Sequence, residues 1–145
     1  MNVFIDTEFN GYQGQLISIA LVAEDGNNWF YGVLPLPEPD KTDPWVAEHV
    51  IPKTSFRPQP LEKVRGDMVA WLGQFEHVHL IADWPEDLTH FMHLLVTGPG
   101  FRIGPCRYTL EVDCRLGSTF SAIPHSALHD AFAIRKSWLA LQPKQ

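Results

Sequence analysis

Asp6 and Glu8 stand two residues apart at the end of a short apolar run, Val3-Phe4-Ile5. If that run is a strand, period-two alternation puts both carboxylates on one face. Asp83 and Asp87 flank a second junction, Ile81-Ala82-Asp83-Trp84-Pro85-Glu86-Asp87. His125 and Asp130 belong to a third, Pro124-His125-Ser126-Ala127-Leu128-His129-Asp130-Ala131. Carboxylates delivered from strand ends and helix starts suit hard divalent cations, which prefer oxygen ligands. Two such cations about 3.5–4 Å apart would activate a water and stabilise a leaving 3′ oxygen at a phosphate.

Each group also has a plainer reading. Asp-x-Glu is an ordinary polar strand end. Asp83-x-x-Glu86 resembles a capping box, with Asp83 as N-cap and Pro85 just inside the helix. Asp87 is not needed for that cap, so it is the favoured metal ligand of the two. Asp83 is then left to touch substrate or a metal-bound water. His125 and Asp130, if both helical, would lie about 140° apart and could not converge. Ser126 as N-cap resolves this by leaving His125 on a loop and Asp130 in the opening turns. A loop histidine beside a fixed carboxylate suits a general base next to a metal ligand.

These residues need elements to hold them. Strands are expected over Val3 to Ile5, ending at Asp6, over Leu16 to Val22 and over Trp29 to Leu34. The last two are joined by the turn Asp25-Gly26-Asn27-Asn28. Pro35 to Pro60 holds seven of the 12 prolines and reads as an irregular surface segment, with a helical turn or two from Trp45 to Val50. Leu61, Val64, Met68, Leu72 and Phe75 recur at helical spacing, giving a helix over Pro60 to Gln74. Val78 to Ala82 is a strand and Pro85 to Val96 a helix, ended by Gly98-Pro99-Gly100. Arg107 to Val112 is a further strand. The last helix runs from Ala127 to Leu141, with Leu128, Ala131, Ile134, Trp138 and Leu141 as its buried stripe. Strands first, then alternating helix and strand, make an α/β layered domain, one domain over residues 1–145.

Composition bounds the function. The 145 residues are 45% hydrophobic and 12% aromatic, which excludes global disorder. Net charge is −6, with no basic arm, so a DNA-coating role is excluded. Nucleic acid stays open as a substrate, because bound cations invert the local sign of an acidic site. Arg102, Arg107, Arg135 and Lys136 are scattered and read as ordinary surface. Cys106 and Cys114 form no CxxC motif; Cys106 reads as a small buried residue, and a reducing cytoplasmic location is expected. The start of the chain has no signal-peptide pattern, no run is long enough to cross a bilayer, and Gln142 to Gln145 reads as a frayed end. His77/His79 and His90/His93 have zinc-compatible spacing but no evident third ligand. Phe9 and Trp84 follow the motif strands and are candidates to stack on a base. The competing reading packs Phe9 on the core and Trp84 under the helix.

In this chain order the motifs resemble the DEDDh exonuclease superfamily, which includes proofreading subunits of bacterial DNA polymerases, ribonuclease T and oligoribonuclease. The segment Phe4 to Gly11 is most similar to a small bacterial and phage branch described as 3′–5′ exoribonuclease-like. The resemblance implies a ribonuclease H-like fold, a mixed central sheet flanked by helices. It implies that Asp6, Glu8, Asp87 and Asp130 hold two Mg²⁺ or Mn²⁺ ions, with His125 as the base. It further implies hydrolysis of single-stranded RNA or DNA from the 3′ end to nucleoside 5′-monophosphates, and a homodimer. Asp83 stands where the family has Asn. The expected function is therefore a metal-dependent 3′–5′ exonuclease, RNA being the expected substrate. A DNA-specific exonuclease and a non-catalytic nucleic-acid-binding module are the alternatives.

Overall fold

The computed structural model describes residues 1–105 and 107–143. Cys106 and the end of the polar tail, Lys144 and Gln145, lie outside the described residues. Among the described residues seven strands form: β1 (Asn2–Phe9), β2 (Leu16–Ala23), β3 (Trp29–Val33), β4 (Val78–Ala82), β5 (Val96–Gly98), β6 (Phe101–Arg102) and β7 (Tyr108–Val112). The α-helices are α1 (Pro44–His49), α2 (Leu61–Leu72), α3 (Pro85–Leu95) and α4 (Ala127–Leu141). The main sheet has the order β3-β2-β1-β4-β7. β1, β2 and β3 pair antiparallel, whereas β4 pairs parallel with both β1 and β7. This is the mixed α/β sheet flanked by helices that the sequence predicts, and it is consistent with a ribonuclease H-like fold.

Alternation along β1 sorts its side chains to two faces. Val3 and Ile5 enter the larger core with Val64, Met68 and Leu72 of α2 and Phe91, Leu94 and Leu95 of α3. Phe4 turns the other way, onto Ile81 and Ile134, with Trp138 packed against that cluster. Asp6 and Glu8 share the Phe4 face, so they look toward α4. There Ala20 of β2 meets Ala127 and Ala131 of α4. Three alanines let the helix axis come close to the sheet, which carries Asp130 toward β1. All eight residues of β2 are buried, as expected of a strand covered on both faces.

Several expectations change. β1 does not stop at Asp6, because Asp6, Thr7 and Glu8 keep their partners Ala20, Ile19 and Ser18 on β2. The register slips only between Glu8 and Phe9, a bulge that ends regular pairing just past the second carboxylate. Gly98-Pro99-Gly100 is not a helix stop. Helix α3 already ends at Leu95, and the Gly-Pro-Gly run turns the small β5–β6 hairpin, with Gly100 at φ 75°. Leu141 leaves the buried stripe of α4 and is exposed, because α4 outlasts the sheet beneath it. Gly14 has no substitute: a Cβ there would stand 1.8 Å from the Asn10 carbonyl oxygen across the β1–β2 turn.

Phe91 lies one turn after Asp87 on α3, is fully buried, and meets Tyr108 edge-on at 6.1 Å. It ties the helix that carries Asp87 to the sheet. Phe91→Ala is expected to cost about 3–5 kcal/mol of stability. Urea unfolding checks this; a loss below about 1 kcal/mol would show that the helix does not depend on this anchor.

Candidate active site

A cleft of about 610 Å³ opens at the end of β1 where the three groups of residues meet. Asp6, Glu8, Asp83, Asp87, His125 and Asp130 all line it, with Phe9, Trp84 and Trp45. One ligand atom each from Asp6, Asp83 and Asp87 lie within 4.8 Å of one another, and so do atoms from Glu8, His125 and Asp130. Residues up to 124 positions apart in the chain thus form two adjacent donor sets.

Each carboxylate is held by its element. Asp87 sits in the first turn of α3, where the helix dipole favours an acid. Its Oδ1 accepts hydrogen bonds from the Thr7 amide at 3.0 Å and the Thr7 hydroxyl at 2.6 Å. Thr7 lies between the two acids of the first motif and faces the opposite side of β1, toward α3. It was not singled out in the sequence, although its place inside Asp-Thr-Glu and its alternation both pointed at α3. Asp130 Oδ2 accepts from the His125 amide at 3.0 Å. His125 itself has φ 66°, a left-handed conformation that costs a non-glycine residue energy and needs surrounding structure to hold it.

Two capping expectations are corrected here. Trp84, not Asp83, is the N-cap of α3, and it makes no side-chain cap bond. Pro85 at the first helical position has no N–H to satisfy, and the Asp87 amide donates to the Trp84 carbonyl at 3.3 Å rather than to a cap side chain. Asp83 is therefore free to turn into the cleft. Ser126 is the N-cap of α4 by backbone conformation, but its hydroxyl pairs with His129 Nδ1 at 2.9 Å instead of capping. His125 lies outside the helix as expected. Trp84 is 57% exposed, which removes the packing alternative; its indole N–H donates to Glu86 Oε2 at 3.1 Å. The Phe9 ring packs on His90 at 4.7 Å. Arg135 and Lys136 are engaged elsewhere: Arg135 Nε donates to the Glu24 carbonyl at 2.7 Å, and Lys136 lies over the Phe120 ring.

The electrostatics are those of crowded, desolvated acids. Burial first, then the charges of Asp87, Glu8, Asp130 and Asp83, hold the Asp6 carboxyl well above its ordinary range. Burial, Asp130 and Asp87 push Glu8 up to about 8, with Lys53 pulling the other way. Burial raises Asp87 to about 7 against the Thr7 hydrogen bonds. Burial is also the main cause of the raised values of Asp83 and Asp130. Asp6 Oδ2, Asp87 Oδ2 and Asp130 Oδ1 are buried without a hydrogen-bond partner. Buried polar atoms rarely go unpaired. Orphaned carboxylate oxygens from three elements, all in one cleft, fit a hard divalent cation.

A raised carboxyl pKa favours the folded state while the group is protonated, and that contribution is lost as pH rises through the folded value. With Asp87 raised from 3.8 to about 7 and Glu8 from 4.5 to about 8, the metal-free protein is expected to lose stability as pH rises from about 4 to about 8. One pKa unit corresponds to about 1.4 kcal/mol, or roughly 4 °C in Tm for a domain of this size. Millimolar Mg²⁺ or Mn²⁺ is expected to reverse the loss, because it binds the ionised form. Differential scanning fluorimetry across this range, with EDTA and with each cation, checks both. A flat profile that no cation alters would show that the acids are not crowded in this way.

No family model matches the chain. It is similar to two curated proteins of Mycobacterium tuberculosis, one from strain CDC 1551 / Oshkosh and one from strain ATCC 25618 / H37Rv, both named 3′–5′ exoribonuclease. Each is 34% identical to it, over 58% of this chain and 61% of the relative. The match thus spans less than two thirds of the length of these relatives.

Proposed function

We propose that the protein is a metal-dependent 3′–5′ exoribonuclease of the DEDDh type, acting on single-stranded RNA or short oligonucleotides. The observation that carries this reading is the convergence of Asp6, Glu8, Asp83, Asp87, Asp130 and His125 in one cleft, with three buried carboxylate oxygens left unpaired. The similarity to proteins named 3′–5′ exoribonuclease supports the same reading.

Asp6, Glu8, Asp87 and Asp130 would hold two Mg²⁺ or Mn²⁺ ions, with Asp83 beside Asp6 and Asp87. Bound there, the cations would offset the carboxylate charge and the negative charge that builds on the phosphate in the transition state. The remaining steps belong to the chain. Asp130 holds the backbone of His125 through its amide. His125 accepts a proton from water as the water oxygen bonds to the terminal phosphorus. The bond from phosphorus to the 3′ oxygen of the preceding nucleotide breaks, and that oxygen takes up a proton. One nucleoside 5′-monophosphate leaves, and the shortened strand keeps a free 3′ hydroxyl. Trp84, which is exposed, and Phe9 both line the cleft, which supports a role in stacking on the terminal bases, a contact every base can make. Among the described residues no Lys or Arg lines the cleft, which suits a short grip on a 3′ end more than tracking along a polymer.

Matched 5′-labelled RNA and DNA 20-mers test the reading. A ladder shortening from the 3′ end is expected with Mg²⁺ or Mn²⁺ and none with EDTA. Asp6→Asn is expected to abolish it, and His125→Ala to slow it by about 10²–10⁴-fold. A faster rate on RNA than on DNA is expected; the reverse ratio would assign the site to DNA. No ladder on either strand from a folded, metal-loaded protein would leave the binding-module reading in its place.

A further inference from the structure

The segment between β3 and α2 makes contacts that holding the carboxylates does not require. The Trp45 ring, on the first turn of α1, lies 4.9 Å from the His125 ring with the planes at 82°, an edge-to-face arrangement. Trp45 is itself fixed from several sides. The His49 ring stacks on it at 4.7 Å and 15°, and His49 Nδ1 stands 2.9 Å from the Trp45 carbonyl oxygen. Asp43 caps the helix by accepting from the Trp45 amide at 2.9 Å and the Val46 amide at 3.2 Å. Asn10, just past β1, accepts from the Asp43 amide at 2.8 Å. Val46 and Val50 lock onto Ile17 of β2. The position of Trp45 is therefore set by the two central strands.

His125 is less constrained by its own neighbours in sequence. Its backbone is left-handed and its amide is tied to Asp130, but that bond leaves the side-chain torsions free. The same segment grips the loop a second time, one residue earlier, where Lys53 Nζ donates to the Pro124 carbonyl at 3.1 Å. The ring is thus met by an indole anchored to the sheet, and the peptide before it by an ammonium two turns along the same segment.

We propose that Trp45 is a positioning residue for His125, its indole holding the imidazole in the orientation from which it accepts a proton. This rests on the general-base reading of His125 given above. Trp45 forms no bond to the reacting atoms; its effect passes through the rotamer of His125. Removing the indole leaves the imidazole to sample other rotamers and lowers the fraction poised to react.

The test is a double-mutant cycle with a spectroscopic arm. Trp45→Ala is expected to lower kcat about ten-fold with KM changed less than about two-fold, and Trp45→Phe to restore most of the rate. In a His125→Ala background, Trp45→Ala is expected to add less than about two-fold, since there is no ring left to orient. In the metal-free protein, the carbon-bound ring protons of His125, assigned by their loss in His125→Ala, should carry a ring-current displacement. That displacement should disappear in Trp45→Ala and survive in part in Trp45→Phe. Equal losses from Trp45→Ala in both backgrounds would overturn the proposal and leave a general structural role. A rise in KM at unchanged kcat would overturn it in favour of substrate contact. Full activity of His125→Ala would overturn the general-base reading and this proposal with it, an outcome distinct from additivity.

Discussion

Like charges held together out of water are the constraint on which this structure turns. Burial raises the pKa of Asp6 and Glu8 on β1, of Asp83 and Asp87 at the start of α3 and of Asp130 on α4, and neighbouring acids raise those of Asp6, Glu8, Asp83 and Asp87 further. Lys53 near Glu8, the hydrogen bonds from Thr7 and the His125 amide, and Ser121, His125 and His129 around Asp130 offset only part of that cost. Stability has to come from elsewhere. It comes from a central strand, β2, buried along its whole length, and from apolar layers on both of its faces. The sheet supplies rigid strand ends, and the acids stand where regular pairing gives way at the Glu8–Phe9 bulge.

Each functional group is placed by a different device, suited to its task. The acids sit on β1, on the first turns of α3 and α4, and beside the N-cap of α3, where little movement is possible. The histidine sits on a loop in a strained backbone conformation, which leaves its ring to be aimed from outside. A ligand must hold still, whereas a proton acceptor must reach a proton and then give it up. Placing Asp130 on a helix and His125 on a loop suits the proposed roles of metal ligand and general base. The Asp130 carboxylate links them through the His125 amide.

Much of the fold was legible because it rests on local periodicity. The β-rich run Leu16 to Val22 reads as a strand, and the spacing of Val64, Met68 and Leu72 reads as the inner face of α2. The small residues Ala127 and Ala131 lie on the face of α4 that meets the sheet. Where local reading failed, a distant partner decided. β1 runs past Asp6 because β2 is there to pair with it. Asp83 leaves its capping role because the N-cap of α3 falls one residue later, at Trp84, and the cleft accepts the side chain. The proline-rich segment read as irregular surface, yet Asn10, Ile17 and the Pro124 carbonyl fasten it against the site as a wall.

The amino-acid order by itself picked out residues that meet in the cleft: Asp-x-Glu after an apolar strand, an acid in the first turn of a later helix, and His-x4-Asp across a helix start. Those are one-dimensional features, set by period two, period 3.6 and the rules for helix starts. Only the tertiary structure decided that Thr7 would grip Asp87, that Asp83 would join Asp6, and that Trp45 would meet the His125 ring. Such contacts join side chains far apart in the chain. They follow from how close α4 can come to β1 and how the β3–α2 segment crosses β2, and no local pattern encodes either distance.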